Sequence, residues 1–153
     1  MEAQEMKSKV EESVKLNNAT RDSLTQANAT LAVLSDKAAE LTSAIYVLEN
    51  EIKLREASSF LNLENDGKTQ FAVVDSDKGK KVIPLTNDKL RDAYRRLSSE
   101  DLRTKLALAI GEQAQLREQI GALNTSIRSS YAVLASVENE LKGYRLLLDI
   151  RVK

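Results

Sequence analysis

The chain has no cysteine and no histidine. Without cysteine there is neither a disulfide framework nor a thiolate metal site. Without histidine, the commonest metal ligand and the commonest general base at neutral pH are missing. A carboxylate-only metal site needs clustered acids, and nothing in the sequence clusters for one. Tryptophan is absent, and two phenylalanines and four tyrosines are few for a globular core. Long helices tolerate that scarcity, because Leu and Ile fill their seams. A surplus of one charge is also lacking: 23 basic and 23 acidic side chains cancel, so bulk charge pulls toward neither nucleic acid nor membrane. No run of 18 apolar residues occurs, so no membrane span is expected. The opening Met1-Glu2-Ala3-Gln4-Glu5 is acidic and polar, unlike a secretory signal. These absences predict a single cytoplasmic domain without a cofactor or a small-molecule substrate.

What is present is a seven-residue apolar repeat. From Leu102, steps of four and three reach Leu106, Ala109, Gln113, Leu116, Ile120, Leu123, Ile127, Ser130, Leu134, Val137, Leu141, Tyr144 and Leu148, and only Gln113 and Ser130 interrupt it. A repeat of 3.5 sustained this long predicts a helix presenting one seam to a partner helix. At about 1.5 Å per residue it makes a rod of roughly 70 Å, which cannot bury its own stripe. A second seam runs through Leu24, Ala27, Leu31, Leu34, Ala38, Leu41, Ile45, Leu48 and Ile52. The first 22 residues are polar, with Met6, Val10, Val14 and Leu16 as apolar candidates. Asn17, Asn18 and Thr20 weaken helix propensity there, so this start is expected to fray or to depend on a partner.

The middle of the chain breaks the helix. Asn62 to Lys68 carries the Asn, Asp and Gly of a turn. Two short runs follow, Gln70 to Val74 and Lys81 to Leu85, flanking a polar stretch in which Gly79 can take positive φ. They predict a β-hairpin over 69–85, with Pro84 confining the second strand to an edge. Helix resumes after Thr86-Asn87 through Leu90, Ala93, Tyr94 and Leu97, and Ser98-Ser99-Glu100-Asp101 reads as a fresh start. The expected fold is therefore mainly α: two long antiparallel coiled-coil helices, 1–63 and 87–150 with a kink near 98, joined by a small β-hairpin tip. Gly111, Gly121 and Gly143 lie inside the second helix. They are read equally well as points of close helix approach or as tolerated surface glycines.

Three constellations bear on function. Lys78, Lys80, Lys81, Lys89, Arg91, Arg95, Arg96, Arg103 and Lys105 fall in one interval with four acids, a local excess of 9 − 4 = +5. Such cations would neutralise phosphates, with Tyr94 or Phe71 placed to stack a base. The alternative is a solvated face with ordinary ion pairs, such as Asp92 with Arg95 or Arg96. Apolar residues outside the seams form the second group: Leu146, Leu147, Ile150 and Val152 near the C-terminus, and Tyr46, Val47, Leu54, Phe60, Leu61 and Leu63 toward the end of the first helix. They need cover that a two-helix pair does not give, and they point to self-association through Leu146, Leu147 and Ile150. Paired acids such as Glu11-Glu12 and Glu138 with Glu140 form the third group. They do acid–base chemistry only in a pocket that separates their pKa values. With no Gly-rich phosphate loop and no nucleophile motif, a non-enzymatic protein is expected.

Two families share this layout. In its length, its long helices and its basic central segment entering the last helix through Leu97-Ser98-Ser99-Glu100-Asp101, the chain resembles phage recombination mediators of the UvsY type. The stretch Pro84-Leu85-Thr86-Asn87-Asp88-Lys89-Leu90-Arg91 before a long terminal helix is also similar to small phage-encoded proteins. The resemblance covers roughly residues 40–150. It implies a homo-oligomer that binds single-stranded DNA and works with recombination or replication proteins in a host cytoplasm. The helix–hairpin–helix order also resembles a β-type prefoldin subunit, which implies a chaperone-like or scaffolding oligomer instead.

Overall fold

A computed structural model describes residues 2–59, 64–66, 69–76 and 79–152. Helix α1 spans Ala3–Ser58, three strands follow at Glu64–Asp66 (β1), Thr69–Ser76 (β2) and Gly79–Leu85 (β3), and helices α2 (Asp88–Ser98) and α3 (Glu100–Val152) complete the chain. The chain is mainly α, with two long antiparallel helices packed on each other and a small β element between them in sequence. Contacts divide it into two units, residues 1–38 with 115–153 and residues 39–114.

In the second unit the sheet has the order β1-β2-β3, with both pairs antiparallel. β2 and β3 form the expected hairpin, with Ser76 opposite Gly79 and Phe71 opposite Pro84. Gly79 has φ of 105°, a conformation that costs an L-residue roughly 1–2 kcal/mol. Pro84 sits on an edge strand, where its missing N–H leaves no ladder bond unmade. The short β1 falls where Glu64-Asn65-Asp66 reads as turn: pairing with β2 overrides the weak strand propensity of Asn and Asp. Substituting Gly79 by Val is expected to lower the stability of the hairpin by about 1 kcal/mol, because the site is open in space but strained in backbone. A thermal melt unchanged within error would disprove that.

Asn87 caps α2, its side-chain oxygen accepting a 2.9 Å bond from the Leu90 N–H. Within this unit Leu102, Leu106, Ala109 and Gln113 on α3 are buried or half-buried, as are Leu41, Ile45, Leu48 and Ile52 on α1. Gln113, the polar member of that stretch, donates to the Thr42 hydroxyl at 3.0 Å.

In the first unit the α3 seam continues from Leu116 to Leu148, every position of it buried or half-buried. The α1 seam runs back from Ala38 through Leu24 and on through Thr20, Asn17, Ser13, Val10 and Met6, in the same three–four steps. Of the four N-terminal apolar candidates, Met6 and Val10 face the seam, while Val14 and Leu16 are exposed. Arg21 reaches across to Glu138 at 2.8 Å. Both ends are solvated, so this pair sets register more than stability.

Candidate functional site

The cationic residues singled out from the sequence all belong to the second unit, where Lys78 lies outside the described residues. Lys80 and Lys81 are on β3, Lys81 opposite Val74. Lys89, Arg91, Arg95 and Arg96 are on α2, and Arg103 and Lys105 are on α3. They divide into two groups. Arg91 pairs with Asp88 at 3.6 Å, Arg95 with Asp92, and Arg103 with Glu56 of α1. Lys89, Arg96 and Lys105 are exposed and engage no carboxylate among the described residues, while Lys80 is exposed and stands opposite Asp75 in the hairpin. Lys89 and Arg96 are seven residues apart, hence two turns along one side of α2, with a rise of about 10 Å between them. Ala93 and Tyr94 lie between them in sequence, and Tyr94 is half-buried.

The Arg103–Glu56 pair belongs to a polar clasp at the break between α2 and α3. Ser99, with 0% of its surface exposed, donates its hydroxyl to Glu56 Oε1 at 2.7 Å and accepts from Arg103 Nε at 3.1 Å. Arg103 Nε also donates to Glu56 Oε1 at 2.9 Å. The Ser99 carbonyl accepts from the Arg103 N–H, opening α3, while its own N–H donates to the Arg96 and Leu97 carbonyls and closes α2. Burial would push the Glu56 carboxyl up. The Ser99 and Arg103 hydrogen bonds, with the charges of Arg103 and Arg95, outweigh it and hold the pKa below its ordinary value. Beside it, Arg55 Nη1 reaches both oxygens of Asp101 at 2.8 and 2.9 Å. This bond, opposed by slight desolvation and helped by the Leu102 backbone N–H, holds Asp101 low as well. Nothing in the sequence singles out Glu56. Its signal would have been its place beside the seam, level with Arg103 once the antiparallel register is known.

The apolar residues read as a self-association surface are in the first unit. Leu146, Leu147 and Ile150 are 63%, 49% and 70% exposed. In the second unit Tyr46, Val47 and Leu54 are exposed on α1, as are Leu90 and Leu97 on α2, whereas Phe60, Leu61 and Leu63 lie outside the described residues. Among the described residues no three acids, histidines or cysteines gather in a way that would hold a metal ion. No helix among them is long and apolar enough to cross a membrane. Compared with family models, curated proteins and solved structures, the chain matches none of them.

Proposed function

We propose that this chain is a non-enzymatic, self-associating coiled-coil protein that binds single-stranded DNA and serves as an accessory factor in phage DNA recombination or replication. The observation that carries the proposal is the group of four exposed cations within one unit, of which Lys89, Arg96 and Lys105 engage no carboxylate among the described residues and Lys80 stands opposite Asp75 on the hairpin. Arginines tied to Asp88, Asp92 and Glu56 have part of their charge already spent. Free ammonium and guanidinium groups release counterions when they meet phosphates, which is the main source of affinity for a charged strand. The exposed Leu146, Leu147 and Ile150 supply apolar surface for association.

Binding of labelled single-stranded DNA, measured at 50 and 200 mM salt, tests this. Four phosphate contacts predict a slope near −3 in log affinity against log salt, a loss of about fiftyfold over that range. Changing Lys80, Lys89, Arg96 and Lys105 together to Glu should abolish binding at the higher salt, while Arg91→Glu alone should matter less. Absence of binding at 50 mM salt would reject the reading. Salt-insensitive binding of unfolded protein clients through the exposed leucines would favour the chaperone-like alternative.

A further inference from the structure

Helix α2 buries none of its residues. Its half-buried positions, Tyr94, Arg95 and Ser98, fall on one side and mark where it turns toward the rest of its unit. At about 100° per residue, the other side carries its residues in a fixed order. Lys89 and Arg96 form one edge, Ala93 comes next, and Leu90 and Leu97 follow. All five are exposed, the two leucines by 37% and 51%. Together they cover about 120° of the helix, in a strip roughly 10 Å long from Lys89 to Arg96. The acids of α2 are engaged outside it, Asp88 with Arg91 and Asp92 with Arg95. The strip therefore holds two cations, three apolar side chains and no acid.

We infer, on the footing of the DNA-binding reading, that a single strand lies along this strip, its phosphates on Lys89 and Arg96 and its bases against Ala93, Leu90 and Leu97. Charge complementarity selects a polyanion, since neither cation engages a carboxylate among the described residues. Width selects a strand over a lipid surface. A helix lying in a membrane needs cations on both flanks of its apolar face, free to reach the headgroups. Here the flank beyond the leucines carries Tyr94 and Ser98, both half-buried, and then Arg91, which Asp88 holds. On the other flank Asp92 stands about 40° past Arg96, where a broad anionic surface would meet it. A narrow strand avoids both. The strip also separates single strands from duplexes. A single strand presents its base faces to apolar side chains, whereas a duplex keeps them in its stack and offers phosphates alone. At about 3.4 Å per nucleotide of stacked strand, cations about 10 Å apart span about three nucleotides, as many bases as the strip has apolar side chains. Tyr94, the stacking residue expected from the sequence, stands at the margin of the strip and not at its centre.

The chain has no tryptophan, so Leu97→Trp in the full chain puts a single fluorophore on the strip. Single-stranded DNA should quench its emission as bases stack on the ring. A duplex of the same length and inorganic polyphosphate carry the charge without exposed base faces, and should leave the emission unchanged. Leu90→Ala with Leu97→Ala keeps good helix formers in place and removes most of the apolar contact. This double variant should weaken single-strand binding about tenfold, with the salt slope and duplex binding unaltered. Salt-dependent DNA binding without quenching, or a double variant that binds as tightly as the wild type, overturns the strip and leaves the DNA-binding reading standing. Anionic vesicles that shift the emission to the blue, where single strands leave it unchanged, overturn the strip in favour of a lipid surface. No binding of DNA even at the lower salt overturns both readings.

Discussion

Glu56→Ala is expected to lower unfolding stability by about 1–2 kcal/mol, because it leaves the fully buried Ser99 hydroxyl only its longer 3.3 Å bond to the Arg96 carbonyl and leaves Arg103 without its carboxylate. The cost is set by Ser99 more than by the ion pair, since the Arg103 side chain is 46% exposed and its charge is well solvated. Glu56→Gln keeps a hydrogen-bond acceptor for Ser99 and should recover at least half of the loss. The same clasp makes stability depend on pH in a definite direction. The folded-state pKa of Glu56 is depressed relative to its unfolded value of 4.5, so its contribution is full above about that pH. It is lost as pH falls through the lower folded value, because the unfolded chain then binds the proton more readily. Asp101, depressed by Arg55, adds in the same direction from its ordinary 3.8 downward. Urea titrations between pH 7 and pH 3 should therefore show the wild type losing its advantage over Glu56→Gln in that acid window. A constant difference at all pH values would show that the carboxylate charge plays no part.

Replacing Gly111, Gly121 and Gly143 together by Ala should raise stability by about 3 kcal/mol. Each glycine lies inside α3, and a Cβ built at each meets nothing within 4 Å. Alanine then removes backbone freedom from the unfolded chain at no steric cost, worth about 1 kcal/mol per site. The sites are at least ten residues apart and share no neighbours, so the gains should add. In a chain of this length the midpoint of thermal unfolding should rise by about 6–12 °C. The structure thereby decides between the two readings of these glycines: they are surface positions, not points of close approach within the chain. A triple variant that gains less than a third of this would mean that something covers those positions in solution, and the single variants would say which.

Much of the architecture is legible in the order of residues. Leu102 to Leu148 and Leu24 to Ile52 keep their steps so regularly that each position expected on a seam is buried or half-buried. Gly79 and Pro84 mark the turn and the edge of the hairpin through backbone chemistry carried by single residues. The seam through residues 6–20 is harder to read, because Ser13, Asn17 and Thr20 occupy its positions and no apolar repeat announces it. β1 escapes for a similar reason. Glu64-Asn65-Asp66 has no strand propensity of its own and pairs because β2 is beside it.

The candidate site divides along the same line. A count of charges along Lys78–Lys105 finds the basic excess, since it needs only composition. It does not reveal that Arg91, Arg95 and Arg103 are already held by carboxylates, one of them 47 residues away on α1. Periodicity and turn chemistry act within a few residues of chain, so the sequence by itself determined the two long helices, the stripes they bury over Leu24–Ile52 and Leu102–Leu148, and where the hairpin turns. Partnerships across the helix pair depend on the antiparallel register, which brings Glu56 to Ser99 and Arg103, and Arg21 to Glu138. Tertiary structure alone decided those, because a short polar side chain finds its partner through the packing of both seams and carries no periodic signal of its own.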